Sequence, residues 1–473
     1  MSLTTPSLTQ TVIHRDVPAL QSTDLPRRIV VSWRQWQQYS PRTTSAMYID
    51  KVSLTNIKGF SNLEFSLVRP DGTHAGWTVF TGDNGAGKST LLKAIAVALT
   101  GTDTARALQP SFHRWIRDGK SEASVELGIV RVASDDSMTE TGKPPKRAFP
   151  ARLLFKSGHK ETQISTDVVS HNRTAFRGLW SPDAKGWFSC GYGPFRRVFG
   201  ASPEAMRGMV APATERFVTM FQEAASLAEV DQWLRNLSHK SLEERQNEKE
   251  QMELLLRILR DDLMPNQITV DRIDSDGLWL KDRNGLGLSW SEMSDGYRAA
   301  LALLADILRH LINAFGVGDL VGEDTEGKIF IRRSGVVLID EIDAHLHPEW
   351  QRQIGFWLKR HFPNIQFLVT THSPIICQAA DPNGLFVLPE PGSDEPPRPL
   401  SEVEYITVIS SKPDAILRTS AFGLENTRSP RAVDARAKYS ALKAKERAGA
   451  ELSRAERKEF EQLELFVHGD SDL

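Results

Sequence analysis

Residues 82–89, Gly82-Asp83-Asn84-Gly85-Ala86-Gly87-Lys88-Ser89, fit all eight positions of a phosphate-cradling loop. Each residue type has a task there. Glycines let successive backbone N–H groups turn inward on phosphate oxygens, Lys88 reaches the β and γ oxygens, and Ser89 ligates Mg²⁺. Thr90 follows within the same binding segment. A second group is Gly335-Val336-Val337-Leu338-Ile339-Asp340-Glu341, an apolar run that ends in two adjacent acids. Asp340 at the strand end can hold Mg²⁺ through water, and Glu341 behind it can polarise an attacking water. A third is Thr370-Thr371-His372-Ser373-Pro374 after the apolar run 367–369. A lone histidine is more often structural. Its place at the end of the next strand after the acidic pair makes His372 the candidate γ-phosphate sensor.

The elements around these groups are those the chemistry needs. Three short β-like runs occupy 48–80, the glycine loop follows the last of them, and 89–99 reads as an amphipathic helix. Between 101 and 193, β-like runs (123–132, 152–155, 187–190) alternate with polar turns, which predicts a β-rich lobe. Residues 203–263 switch to helical periodicity, too short for long coiled-coil arms. A helix over 294–315, a buried strand at 335–339, a helix over 348–362 and a buried strand at 365–369 imply a parallel α/β sheet. After the proline-rich stretch 389–399 comes a β-like run at 403–409, then a charged helical hairpin over 429–467 that turns near Gly449. The expected domains are a mobile leader (1–46), an ATPase domain (47–384) containing the β-rich lobe (101–200) and a helical insert (203–265), and a C-terminal extension (385–473). Met47 directly precedes the first clean strand and is a second candidate start.

Bulk properties exclude more than they assign. At 473 residues with formal net charge -2, the chain is not a uniformly basic nucleic-acid coat, so any such contact must be a local patch. Two cysteines, Cys190 and Cys377, without metal or redox spacing, fit a reducing cytoplasm. No apolar run approaches the ~18 residues of a membrane helix, so no membrane partner is expected.

Met293-Ser294-Asp295-Gly296-Tyr297-Arg298 opens the 294–315 helix. By itself it is a helix cap. In order after the phosphate loop it resembles the signature motif of ABC-class ATPases, in the diverged form of the RecF-like and SMC-like branch. The resemblance covers roughly 48–378. It implies an α/β ABC ATPase head, ATP and Mg²⁺ as cofactors, and a head-to-head homodimer, or a higher oligomer, in which Ser294, Asp295 and Gly296 of one copy close over the nucleotide of the other. The run 341–351, Glu-Ile-Asp-Ala-His-Leu-His-Pro-Glu-Trp-Gln, is similar to the same region in bacterial anti-phage defence ATPases of the Septu or retron-associated type. It puts Asp343 at the dimer-contacting D-loop. His345 and His347, at i, i+2 spacing without a nearby cysteine, fit structural or dimer-contact roles better than a metal site. Lys58, in Asn56-Ile57-Lys58-Gly59-Phe60, is a candidate contact to phosphate or ribose, with a plain turn as the alternative. Arg196, in Gly191-Tyr192-Gly193-Pro194-Phe195-Arg196-Arg197, stands where the family has its glutamine loop, either coupling nucleotide to the lobe or exposed in a Gly-Pro turn.

Three functions follow as expectations. The first is the ATPase component of a defence system that controls a separately encoded nuclease or other effector, with the 429–473 tail as docking surface or as a solvated cap. The second is a RecF-like clamp that binds DNA through Arg114, Arg117 and Lys120, and through Lys143, Lys146, Arg147 and Arg152. The third, the ATP-binding subunit of a transporter, fits the signature least.

Overall fold

The computed structural model describes residues 47–468 except 70, 75, 132, 140–142, 159–160, 167–168, 197–211, 223–226, 391 and 394. The expected leader at 1–46 lies outside the described residues, as does Arg197. The strands are β1 (Tyr48–Ile57), β2 (Phe60–Ser66), β3 (Gly76–Thr81), β4 (Glu122–Val130), β5 (Phe149–Ser157), β6 (Thr162–Thr166), β7 (Ser189–Tyr192), β8 (Thr269–Asp274), β9 (Gly277–Lys281), β10 (Gly287–Ser289), β11 (Val321–Glu323), β12 (Ile329–Ile331), β13 (Gly335–Ile339), β14 (Ile365–Thr370), β15 (Leu385–Val387) and β16 (Arg398–Pro399). The helices are α1 (Lys88–Leu108), α2 (Val169–Arg177), α3 (Pro212–Glu215), α4 (Val218–Phe221), α5 (Ala228–Leu242), α6 (Gln246–Arg260), α7 (Asp295–Phe315), α8 (Pro348–His361), α9 (Pro374–Cys377), α10 (Glu402–Ser410), α11 (Pro413–Leu417), α12 (Pro430–Arg447) and α13 (Arg454–His468).

Strands β3, β7, β13 and β14 are buried at every residue. Such strands need cover on both faces, and they are four consecutive strands of a sheet ordered β16-β15-β3-β14-β13-β7. From β15 to β7 every neighbouring pair is parallel, and β16 closes one edge antiparallel. Alternate side chains feed two cores. Val79, Val337, Ile339, Phe367 and Val369 point to one, while Phe80, Val336, Leu338 and Leu368 point to the other. The first core is completed by α5 to α8, the second by α1 and an antiparallel sheet ordered β2-β1-β4-β5-β6. Helix α1 is thus sandwiched between two sheets, which is why its run from Ala94 to Leu99 is buried without a polar face.

Four placements differ from the expected organisation. The run at 187–190, read as part of the lobe, ends in β7, which pairs with β13 in the central sheet; its wholly buried residues suit a parallel core strand. The lobe strands β4 to β6 do not stand apart either, because β4 pairs with β1. The central sheet also runs past residue 384, since β15 pairs with β3. The β-like run 403–409 is helix α10. Ser401 and Glu404 form a reciprocal capping box at its start, and Tyr405 and Val408, one turn apart, pack inward, so capping and burial override the β-branched residues.

The C-terminal hairpin pairs α12 with α13 around Gly449, whose φ of 77° suits a glycine turn. Tyr439 stacks on Phe460 with ring centroids 4.6 Å apart, and Lys445 pairs with Glu456 at 2.6 Å.

Candidate functional site

Parallel pairing puts the C-terminal ends of β3, β14 and β13 side by side, and each carries one of the groups singled out above. The phosphate loop leaves β3 with Gly82, Gly85 and Gly87 at φ of 139°, 87° and 91°, values that side-chain-bearing residues avoid. Gly87 has a second constraint, because a Cβ there would lie 2.6 Å from the Phe60 ring. It is also the N-cap of α1, with no side-chain cap and no acid in the first turn. The first-turn N–H groups of α1, around Ser89 and Thr90, are therefore left for an anion, with the helix dipole behind them.

Lys88 is buried, and its Nζ donates to the carbonyls of Gly82 at 2.8 Å and Asp83 at 3.0 Å. Burial lowers its pKa, outweighing the opposing pull of Asp340, Glu341, Asp83 and Asp343. Asp340 and Glu341 are the acids the sequence assigns to the same reaction, and the fold brings them to one ammonium. An edge with this excess of carboxylates takes a polyanionic phosphate chain only together with a cation. Ser89 and Asp340 fit Mg²⁺, which uses one or two protein oxygens plus phosphates and waters rather than a full protein cage.

The acids themselves are held by residues the motif reading left without a role. Register pairs Ile339 with Val369, so Asp340 and Thr370 leave the sheet together. The Thr370 hydroxyl donates to Asp340 Oδ1 and accepts from the Glu341 N–H at 2.7 Å. Thr371 donates to Asp343 Oδ1. Ser373 donates to Gln351 Oε1 at 2.6 Å, and Gln351 Nε2 donates to the Leu346 carbonyl at 2.8 Å, tying the His372 loop to the segment after Asp343. His372 itself is exposed at this edge. The signal for Thr370 and Thr371 was present, as two hydroxyls following the apolar run 367–369, but their partners lie some thirty positions away and follow only from the register.

Ser294 and Asp295 are exposed at the start of α7, and Asp295 pairs with Arg298. Gly296 packs so tightly on the loop after Asp343 that a Cβ would lie 2.1 Å from the His345 carbonyl. The start of α7 and the loop after Asp343 thus form one surface. His345 takes a left-handed backbone (φ 67°), and His347 caps α8 by accepting from the Glu349 N–H at 3.3 Å, both backbone-level roles. Lys58 sits in the β1–β2 turn with φ 46°, its Nζ 5.3 Å from the Trp115 ring centroid; desolvation, then Lys93, lower its pKa. Arg196 is neither exposed nor aimed at the lobe. It is 4% exposed, and its guanidinium lies under the carbonyls of Asp340 and Glu341. Of the basic residues considered for DNA, Arg117 donates to the Gly59 carbonyl at 2.6 Å and Arg152 faces Glu126 at 3.7 Å. Among the described residues no helix is long and apolar enough to cross a membrane.

The chain is similar to known proteins. The Septu protein PtuA of Bacillus mycoides (strain KBAB4) is 27% identical over 69% of this chain, which spans 38% of that relative's length. The Retron Ec83 probable ATPase of Escherichia coli is 26% identical over 71% of this chain and 70% of its own. Among solved structures, the Smc head domain with an extended coiled coil bound to the C-terminal domain of ScpA, derived from Pyrococcus furiosus, aligns with 77% of this chain and 98% of its own at 17% identity and a TM-score of 0.41. Residues 77–378, from β3 through the phosphate loop, signature, acidic pair and His372, match the family described as "AAA domain, putative AbiEii toxin, Type IV TA system". The chain belongs to that family of P-loop ATPases.

Proposed function

We propose that the chain is an ATP-driven switch in which two copies close head to head around Mg-ATP, the signature of each completing the site held by the other's P-loop, and part on hydrolysis. The observation that carries this reading is the acidic pair. Asp340 is buried and bonded to Thr370, whereas the Glu341 carboxylate has no hydrogen-bond or ion-pair partner among the described residues. One acid is set to anchor a cation and the next is left to orient water. The remaining work is positioning and charge neutralisation by the P-loop amides, Lys88 and Mg²⁺, as phosphoryl transfer requires. His372 reports the γ-phosphate, Lys58 contacts phosphate or ribose, and Asp343 belongs to the dimer contact. The exposed Ser294 and Asp295, set beside the post-Asp343 loop, support a signature offered to a second copy.

The same proposal makes this switch the ATPase component of a bacterial anti-phage defence system, acting on a separately encoded effector such as a nuclease. Similarity to the Septu and retron relatives supports it. The hairpin α12–α13 supplies the docking surface, because α12 buries only Ala435 and Tyr439 and leaves most of its charged residues exposed. The test uses the full chain. Lys88→Ala should lose ATP binding, and Glu341→Gln should bind ATP and accumulate as a dimer by light scattering. Wild-type turnover by Glu341→Gln would sink the site assignment. Purification from the native operon should recover an effector that is lost on deleting residues 429–473, and unchanged recovery would remove the hairpin's role.

A further inference from the structure

We propose that Arg196 is a positioning residue for hydrolysis, whose guanidinium holds the backbone of residues 340–344 in the one conformation that presents the Glu341 carboxylate. The proposal rests on the reading of Glu341 as the water-orienting group. Arg196 donates to the carbonyls of Gly193 at 2.9 Å, Asp340 at 2.8 Å and Glu341 at 2.9 Å, with longer contacts to Ile342 at 3.4 Å and Ala344 at 3.5 Å. These carbonyls converge because the chain reverses at Glu341, whose φ of 47° is left-handed. A non-glycine residue held there costs on the order of 1–3 kcal/mol and persists only where its surroundings over-determine it.

The surroundings do so from two sides. Asp340 N–H donates to the Tyr192 carbonyl at 2.8 Å, and Glu341 N–H to Thr370 at 2.7 Å. Arg196 then takes both of their carbonyls, so the main chain of the acidic pair is fully bonded, while the Glu341 carboxylate is the polar group left over. As a stability device this is a poor choice, because a buried cation set against neutral carbonyls is dearly desolvated. Burial does lower the Arg196 pKa, to about 10, with Asp340, Asp343 and Glu341 opposing the fall, and the group stays charged at neutral pH. What the guanidinium adds is a rigid planar fork of donors, which a lysine ammonium cannot reproduce.

Arg196→Met and Arg196→Lys in the full chain test the assignment. Both should keep the KM for ATP within a few-fold of wild type and lower kcat, by ~10²-fold for methionine, the scale of a misplaced catalytic group, and by less for lysine. Combined with Glu341→Gln, Arg196→Met should cause no further loss, since both act through one carboxylate. A wild-type kcat in either single variant, or losses that multiply in the double variant, would overturn the proposal alone. Wild-type turnover in Glu341→Gln would overturn the Glu341 reading and this proposal with it. If Arg196→Met does not fold, Arg196→Lys carries the same comparison.

Discussion

At Thr370 one hydroxyl serves two acids: its proton goes to the Asp340 carboxylate and its lone pair takes the Glu341 N–H. Replacing it by valine keeps the shape and removes both bonds. A buried N–H left unpaired costs ~1–3 kcal/mol, and both acids lose their reference to β14. Thr370→Val should therefore lower kcat for ATP by ~10–10²-fold while nucleotide affinity, set by the P-loop, stays near wild type. Steady-state turnover alongside a nucleotide titration checks this, and a loss of affinity at unchanged kcat would contradict it. The residue types at 82–89, 340–341 and 372 could be singled out from the sequence because phosphate, a cation and water restrict which side chains can serve them. Thr370, Thr371 and Arg196 did not, because threonine and arginine have many uses and their partners are remote in the chain.

Among the elements, the buried parallel strands were legible as uninterrupted apolar runs, whereas α10 was not. Its β-branched residues outvoted a capping box whose meaning depends on burying Tyr405 and Val408. The same box makes α10 acid-sensitive. Glu404 is bonded first by Arg398, at 2.8 Å, and also by Ser420 and Ser401, which hold its carboxyl well below the usual range. A depressed folded-state pKa stabilises fully above the unfolded value of ~4.3 and the contribution is lost as pH falls through the folded one. Glu404→Gln should thus melt below wild type at neutral pH, and the gap should narrow as pH is lowered from about 5 towards 3. A gap that widens in acid would reverse the sign argued here.

For the whole molecule, the central link runs from the signature helix to the acids: Tyr192 on β7 donates to Asp306 of α7 at 3.0 Å, and its carbonyl accepts from Asp340 N–H. Asp306 is in turn paired with Arg309 and His310, which keep its carboxyl ionised against the desolvation of full burial. The proposed composite site makes a prediction that no single chain satisfies. Lys88→Ala and Ser294→Arg should each be inactive, yet mixing them should restore turnover, since a mixed dimer holds one intact P-loop facing one intact signature. With random pairing and independent sites the recovery is on the order of a quarter of wild type. No recovery over a range of mixing ratios would argue against sites shared between copies.

The order and types of residues alone determined the class of chemistry, the strand–loop–helix around the phosphate site and the alternation that makes a parallel sheet, since these depend on local geometry and on apolar runs that report burial. Which acid stays free, which hydroxyls tie the pair down, that Gly296 abuts His345, and that the lobe's last run joins the core sheet beside β13 were decided by the tertiary structure. The reason is physical. Register and burial bring together groups far apart in the chain, and hydrogen bonds of a few ångströms depend on where those groups end up rather than on where they are written.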